Sequence, residues 1–597
     1  MDTSRLIAIV LFAFSGLMLW EAWNKPLTTD PVQSAAAAKA IENAANGVPI
    51  GATTATPSVT GANASGVPGV TALVVPTAAV VPASVPTAVA TAAPTAPTVA
   101  APQTSKRVKV KTDKFDLEFD TLGGDIRVAV LNEHKATKDK ARNFPLLQDL
   151  DSHYFVSQIG VISGAGNELA LPNHLSFWST ASTSYDMGTG DKLEVRFVNK
   201  DVPGLTATKI YQFTRGKYDV DVTVELVGST DGVAGSPTKV VPSTAYFQFM
   251  RDDNAPEGEN SGSNPFTGVV TFTGPAVYTE LKKFQKVAFS DIEKGKPEFV
   301  KDANDGWIAM VQHYFVSAWL PQKDAKREFY MSKPSNKRFT SGVKLALAVS
   351  PTGSQAVTTK LYLGPQEQEN LKKLAPGLDL VVDYGWLTVI SYPMFVILSF
   401  IHVIIGNWGW AIIVLTILIK IVFYPLNQKA GKSMAQMKAL APKIEAMRAR
   451  LGDDKMKMNQ AMMELYKTEK VNPLGGCLPM LVQMPFFLAL YWVLLGAVEL
   501  RNAPWIGWIT DLSSPDPYFI LPIFMGISMI VQTRMNPAPP DPIQAKVMMA
   551  MPVVFSIMFF FFPAGLVLYW AMQNLLGIAQ TWNINRQYKP VEVVHKR

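Results

Sequence analysis

The sequence predicts a multi-span α-helical membrane protein that carries a large extracytoplasmic β-sandwich domain. Two features of its 597 residues point that way: alternating patterns between about residues 106 and 375, and long apolar segments after Asp383. Charged residues make up 17% of the chain, against about 25% in a typical soluble domain. The shortfall has two sources, a low-complexity stretch and a set of apolar segments.

The first 25 residues are predicted to form an N-terminal signal-anchor helix. Leu6 to Trp20 is an apolar run preceded by Arg5, a pattern that a cleaved signal peptide shares. Glu21 to Lys25 is a poor cleavage site, which favours an uncleaved anchor with the N-terminus in the cytoplasm.

Residues 26–105 are predicted to be a disordered tether rich in Ala, Pro, Thr and Val. No charged residue occurs between Asn43 and Ser105, and such a composition cannot bury enough surface to offset the entropy of ordering. A spacer role and mere low-complexity drift are both open.

Residues 106–380 are predicted to form a mostly antiparallel β-sandwich. Period-two alternation between Gly, Asn, Asp and Pro clusters indicates strands with one wet face. The alternating segments are 108–111, 115–119, 126–128, 192–197, 218–224 and 344–349. The single cysteine, Cys477, excludes an intramolecular disulfide framework, and a domain of this size needs none.

The remaining chain is predicted to be an interfacial amphipathic helix at 381–407 followed by a five-span core at 408–582. The spans are Trp408–Tyr424, Leu478–Leu500, Tyr518–Thr533, Val547–Phe562 and Leu566–Trp582. The third and fourth have about 16 residues where the hydrocarbon core needs about 20. Either they thin the bilayer locally, or the pattern marks their ends loosely.

Charge sets the predicted topology, because Lys and Arg are retained in the cytoplasm. The segment 425–477 carries ten of them, whereas the loop 501–517 carries one. This segment is therefore predicted to be a cytoplasmic helical hairpin with its turn at Gly452 to Asp454. The short basic tail 583–597 is also placed inside, and the β domain outside. These cations explain much of the net charge of +7.

Lys420 is a charged residue inside the apolar run 412–424. It could snorkel to the cytoplasmic interface. Alternatively, it faces a water-filled cavity and awaits a partner. No Asp or Glu lies well inside a later span, so an external anion is the more suitable partner. Thr416 lies one turn earlier on the same helix face.

The cytoplasmic hairpin is rich in methionine, which adapts to varied apolar surfaces. The candidate surface residues are Met434, Met437, Met447, Met458 and Met462. They could equally pack the hairpin's own helices together. The basic residues of the segment give only a weak signal for anionic lipid, and no sequence-specific nucleic-acid binding is expected.

No catalytic signature was found, so the sequence predicts neither an enzyme nor a cofactor. P-loop, GxSxG, HExxH and dinucleotide-binding patterns are missing from the sequence. The six histidines do not pair at zinc-ligand spacing, so no metal site is expected.

Several segments resemble the YidC family of bacterial membrane protein insertases. They are Thr121–Asp125, Trp307–Phe315, Val382–Trp386, Gly406–Gly409, Leu451–Asp454, Asn472–Leu490 and Phe562–Tyr569. The match covers nearly the whole chain outside the tether, and the long outer domain is that of the Gram-negative type. The resemblance implies that the outer domain is a β-supersandwich akin to sugar-processing folds, without implying their activity.

The resemblance also implies a function: insertion and folding of nascent inner-membrane proteins, alone or with the Sec translocon, through a hydrophilic intramembrane groove. Lys420 stands where the family has a groove arginine, so the charge is kept and the bidentate fork is lost. The other implied groove residues are Thr416, Gln483, Met484, Phe487, Tyr569 and Trp570. The implied partners are nascent membrane proteins, the bilayer, the Sec translocon and, weakly or transiently, the ribosome.

Two other functions fit the sequence less well. A secondary transporter would need intramembrane carboxylates and a repeated pair of broken spans, which the sequence lacks. A membrane-tethered carbohydrate-acting enzyme would explain the outer domain but not five further spans.

Overall fold

The computed structural model describes most of the chain from residue 104 onwards. The described ranges are 104–136, 139–164, 169–228, 242–254, 272–335, 337–350, 354–451, 455–469, 471, 478–536 and 542–587. All of them lie within one compact unit, Thr98–Arg597. The predicted anchor and nearly all of the tether fall outside the described residues, as do the turn Gly452 to Asp454 and the last ten residues of the tail.

The β domain contains nineteen strands among the described residues, and each alternating segment of the sequence forms one or more of them. In chain order, β1 to β19 are Arg107–Lys111, Phe115–Asp120, Asp125–Lys135, Asn143–Asp149, Tyr154–Ser163, Ser184–Asp186, Lys192–Asn199, Leu205–Thr214, Asp219–Gly228, Ser243–Arg251, Gly274–Thr279, Lys283–Lys286, Asp302–Ala303, Trp307–Val311, Phe315–Pro321, Arg327–Ser335, Arg338–Ala346, Ala348–Val349 and Gln355–Pro365.

Two large sheets face each other across one core, so the predicted β-sandwich is confirmed. One sheet has ten strands in the order β13-β16-β17-β10-β5-β4-β3-β2-β1-β6, and the other follows the order β12-β11-β14-β15-β19-β9-β8-β7. The strand pairs are antiparallel apart from β1 with β6. The segment 344–349, which alternates as one strand, is divided at the buried Leu347. β17 then pairs with β10, whereas β18 pairs with β19 in the other sheet.

The core of the sandwich is aromatic and aliphatic, but it encloses one ion pair. Trp178, Trp307 and Trp319 are among its largest buried side chains. The Lys209 ammonium lies 3.0 Å from the Asp125 carboxylate, and both side chains are completely buried. The same ammonium donates to the carbonyls of Gly123 and Ile159, so its donors are satisfied as burial of a charge requires.

Eleven α-helices are described. In chain order, α1 to α11 are Phe289–Glu293, Gln368–Leu374, Thr388–Ile405, Trp408–Val422, Tyr424–Ala439, Ala441–Leu451, Lys455–Thr468, Leu478–Gly496, Ile520–Met535, Pro542–Met558 and Ala564–Gln587. Short 3-10 turns lie at Leu378–Val381, Gly385–Leu387, Val498–Leu500 and Phe559–Phe561.

Helix lengths differ from the predicted spans. Among the described helices, the stretch Gly385–Ile405 is the one that is long and apolar enough to cross a membrane by itself. Leu481–Gly496, Ile520–Met535 and Lys546–Phe561 are apolar but shorter. The placement of 381–407 at the membrane surface therefore stays a prediction, although the helix has the length of a span.

The segment 425–477, which is predicted to be cytoplasmic, is not a simple two-helix hairpin. Its described residues form three helices, and the first of them, α5, joins α4 at a bend of 68°. Pro425 is in the first turn of α5; it has no amide proton to donate to a preceding carbonyl, and its ring disfavours continuation of α4. α6 and α7 then form the hairpin proper, where Lys443 lies 2.6 Å from Glu469.

The β domain rests directly on the helices through the loop 501–517 and the end of α8. The His313 ring donates to the Leu495 carbonyl at 2.7 Å, and Lys140 pairs with Asp511 at 3.3 Å. The Arg501 guanidinium donates to the Lys135 carbonyl and lies 5.5 Å from the ring centres of Phe144 and Phe315. We call this set of contacts the joint.

Candidate functional site: intramembrane polar residues

Lys420 lies in the last turn of α4 and is partly buried. Within the described part of the chain it forms no ion pair and no hydrogen bond. Thr416, one turn earlier, is fully buried and donates its hydroxyl proton to the Ile412 carbonyl at 2.7 Å. The Thr416 hydroxyl oxygen can still accept a hydrogen bond from another group. Its role in the groove stays a prediction.

Three of the predicted residues form one aromatic cluster. The Phe487 ring of α8 lies edge-on to Trp570 at 4.6 Å and parallel to Tyr569 at 6.3 Å, measured between ring centres. Tyr569 is almost fully buried, and its hydroxyl oxygen accepts a hydrogen bond from the Gln573 amide at 3.1 Å. The cluster therefore fixes α8 against α11 beside a polar position.

Gln483 lies in the second turn of α8 and faces the bend between α4 and α5. Its amide donates to the Asn427 side chain of α5 at 3.4 Å. Phe486 packs edge-on against Phe423 at 5.1 Å in the same corner. Met484 is half-buried on the same helix.

Sequence reasoning did not select Asn427, Gln580 or Gln532. The Asn427 amide nitrogen, the Gln573 amide oxygen and the Gln580 amide nitrogen are buried and have no protein hydrogen-bond partner in the described residues. Gln573 and Gln580 are seven residues apart on α11, which places them on one face. The seven-residue spacing of Gln573 and Gln580 in an apolar segment is the sequence feature that could have predicted a polar helix face.

A second polar pair lies where α11 crosses α9. Asn574 donates to the Ser528 hydroxyl at 3.1 Å. A side chain at Gly577 would come within 2.8 Å of the Gln532 amide, so this glycine lets the two helices approach closely.

The five candidate methionines of the segment 425–477 are all half-buried. By contrast, Met456 and Met463 of α7 are 74% and 55% exposed. Half-burial suits both packing between helices and an adaptable surface, so the role of the five stays a prediction.

In the described ranges, no group of three or more His, Cys, Asp or Glu side chains is arranged to hold a metal ion.

An apolar helical core with internal polar side chains, joined to a β-sandwich, is typical of an integral membrane protein. The comparisons with known proteins narrow this class. Residues 107–397 match the model of the YidC periplasmic domain, and residues 400–591 match that of the 60Kd inner membrane protein.

Two relatives agree over nearly the whole length of both chains. The membrane protein insertase YidC of Aromatoleum aromaticum is 48% identical over 98% of both chains. That of Dechloromonas aromatica is 46% identical over 98% of this chain and 97% of its own. A crystal structure of an active YidC insertase, 17% identical, aligns with 80% of this chain and 93% of its own at a TM-score of 0.39.

The chain belongs to the YidC family of membrane protein insertases. It is an inner-membrane protein with a periplasmic β domain, and its function is the insertion of membrane proteins.

Proposed function

We propose that the insertase receives the polar part of a nascent segment among the polar side chains of α5, α8 and α11, with Lys420 as the attracting cation. One observation carries the proposal: Lys420 has no anionic partner among the described residues, and buried amide atoms of Asn427, Gln573 and Gln580 lack protein partners. In hydrocarbon such atoms require water or an incoming polar chain.

The energetics favour a transient guest. Transfer of an unpaired amide or hydroxyl into an apolar medium costs about 2–7 kcal/mol. Amide donors and acceptors at membrane depth reduce that cost for the guest, and a lone cation attracts acidic tails in particular. The guest's apolar segment then leaves along Phe487 and the neighbouring helices into lipid, and the membrane potential assists acidic tails.

The finer organisation belongs to the same proposal. We assign an N-terminal anchor, five core spans, both termini in the cytoplasm and an adaptable methionine surface on α5 to α7. Cooperation with the Sec translocon, a weak ribosome contact and insertion without nucleotide hydrolysis or cofactor complete it.

The test compares two single-span substrates that differ only in the charge of a short translocated tail. Lys420→Ala is expected to reduce insertion of the acidic-tailed substrate about tenfold, equivalent to 1.4 kcal/mol, and to spare the neutral-tailed one. Lys420→Arg is expected to retain insertion, because the charge persists.

Lys429→Ala is the matched control, since it removes an exposed cation of α5 and the same net charge. Undiminished insertion by a stably expressed Lys420→Ala protein would remove Lys420 from the mechanism. Equal losses for both tails would assign it a structural role.

A further inference from the structure

Tyr154 lies against two arginine side chains on the outer face of the ten-stranded sheet. It begins β5, and its neighbour Phe155 belongs to the core, so the alternation of side chains places Tyr154 on the opposite face. Arg127 donates to the Tyr154 hydroxyl at 3.1 Å. The Arg338 guanidinium lies over the same ring, 3.9 Å from its centre. We call Arg127, Tyr154 and Arg338 the arginine–tyrosine cluster.

A β-bulge positions Arg127 in this cluster. The register between β2 and β3 shifts between Glu118 and Phe119, which leaves Arg127 as the extra residue of β3. An extra residue of this kind bends the strand and redirects a side chain, and bulges are common beside functional sites. Arg338 is the first residue of β17. Both arginines are half-buried, so a small solute can reach them.

The arginine–tyrosine cluster contains more hydrogen-bond donors than acceptors. Neither arginine forms an ion pair with any residue that the structure describes, and the buried Nε atom of Arg127 has no acceptor there. The Tyr154 hydroxyl accepts from Arg127, so its own proton remains available for donation. Burial raises the pKa of Tyr154 despite the two arginines, so the hydroxyl stays protonated at neutral pH.

The two carboxylates that act electrostatically on this cluster are already bonded to other cations. Asp149 lies 2.5 Å from Arg107, and Asp125 lies 3.0 Å from Lys209 in the core. Their charges are therefore largely offset. Two guanidinium groups held beside one tyrosine repel each other, and an anion between them would remove that repulsion.

We propose that the arginine–tyrosine cluster binds a phosphate group, carried either by inorganic phosphate or by a small soluble phosphate monoester. A phosphate monoester has a charge of about −1.5 to −2 near pH 7, which matches two guanidinium groups, whereas a carboxylate would offset only one. The planar fork of arginine suits phosphate oxygens. The Tyr154 hydroxyl supplies a further donor.

The location of the cluster favours a soluble ligand over a phospholipid headgroup. The Lys135 carbonyl, which belongs to the joint with the helices, is at the far end of β3. It lies eight residues beyond Arg127, which is about 26 Å along a strand. Phosphate binding at this site is also independent of the role proposed for the intramembrane polar residues.

Isothermal titration calorimetry of the full chain in a phosphate-free detergent buffer at fixed ionic strength tests the proposal. The probes are inorganic phosphate, glycerol 3-phosphate and acetate. Both phosphates are expected to bind at one site per chain, and acetate at least tenfold more weakly. Tighter binding of glycerol 3-phosphate would support an ester as the ligand, and tighter binding of inorganic phosphate would support the free ion. Acetate binding as tight as phosphate binding would overturn the proposal, as would no binding of either phosphate.

Arg127→Gln and Arg338→Gln are each expected to weaken phosphate binding about tenfold, because each removes charge-assisted hydrogen bonds. The matched control is Arg196→Gln, which removes an exposed arginine of β7 in the other sheet, where it pairs with Glu194. It is expected to leave the affinity unchanged. Phosphate affinity in a folded Arg127→Gln or Arg338→Gln protein equal to that of the control would overturn the proposal.

Tyr154→Phe provides a further variant if Arg127→Gln does not fold. It keeps the ring beneath Arg338 and removes only the hydroxyl, so phosphate binding is expected to weaken about fivefold. An affinity unchanged by both Tyr154→Phe and Arg338→Gln would overturn the proposal without reference to Arg127.

Discussion

Lys209 is a charged residue with no access to solvent, and its contacts determine which substitutions the core can tolerate at this position. Its ammonium bonds Asp125 and two backbone carbonyls, and it lies 4.5 Å from the Trp178 ring. Burial raises the pKa of Asp125 to about 6, although Lys209 opposes that rise. Each charge of the pair is therefore stable in the core only while the other is present.

Lys209→Met is expected to lower the free energy of unfolding by about 3–5 kcal/mol, because Asp125 would remain as a buried uncompensated charge. Chemical unfolding of the full chain in detergent, followed by the β-sheet circular dichroism signal, measures the loss. Lys209→Met with Asp125→Leu is expected to recover part of it, since no charge is then buried. A double variant as unstable as the single one would contradict this account.

At the residue scale, the sequence points most directly to side chains that stand in or beside long motifs. Phe487, Tyr569 and Trp570 were selected through their motif positions, and the structure brings them into contact. Asn427 was missed because it lies in a basic segment predicted to be cytoplasmic, and only the bend between α4 and α5 brings it beside Gln483. The roles of all these residues stay predictions.

At the scale of single elements, periodicity located the strands and apolar segments but not their breaks. The change of sheet at Leu347 depends on which neighbour each half pairs with, β10 or β19. The alternation of side chains continues across it unchanged, so no local pattern marks it. Likewise, the bend at Pro425 could not be predicted without knowing that a second helix begins at Tyr424, with the proline in its first turn.

Pro425→Ala is expected to straighten the junction between α4 and α5. Alanine restores an amide donor and removes a penalty of about 3 kcal/mol against a continuous helix. As the 68° bend relaxes, Asn427 moves away from Gln483. Spin labels on the exposed Leu418 and Lys438 are then expected to report a longer separation by double electron–electron resonance, in a protein whose Cys477 is replaced by Ser.

Pro442→Ala is the matched control, because Pro442 also lies in the first turn of a helix, α6, and is exposed. It is expected to leave the label distance unchanged. An unchanged distance in Pro425→Ala would show that packing, and not the proline, fixes the bend.

At the scale of the whole molecule, the joint makes the periplasmic domain and the membrane core one unit. On the β-domain side its residues lie in β3, β4, the loop between them, β15 and the turn before it. On the helical side they lie at the end of α8 and in the loop 501–517. They are distant in sequence, and each is unremarkable in its own segment. The two domains were predictable from the sequence, whereas this contact depends on pairing residues more than 180 positions apart.

The joint is expected to weaken in acid. Burial, aided by Arg501, lowers the pKa of His313 from 6.5 to about 4 despite its bond to the Leu495 carbonyl. The detached or unfolded state therefore binds more protons between pH 6.5 and pH 4, and stability falls as the pH falls through that window. At pH 5 the neutral ring contributes a loss of about 2 kcal/mol relative to pH 7.

His313→Gln isolates this contribution, because glutamine can still donate to Leu495 but does not titrate. Unfolding of the full chain in detergent is compared at pH 7 and pH 5. The variant is expected to lose about 2 kcal/mol less than the unmodified protein over that interval. His134, whose pKa burial also lowers to about 4, is present in both proteins and cancels in the comparison. Equal pH sensitivity of the two proteins would mean that the pKa of His313 is the same in the folded and unfolded states, and that its protonation does not weaken the joint.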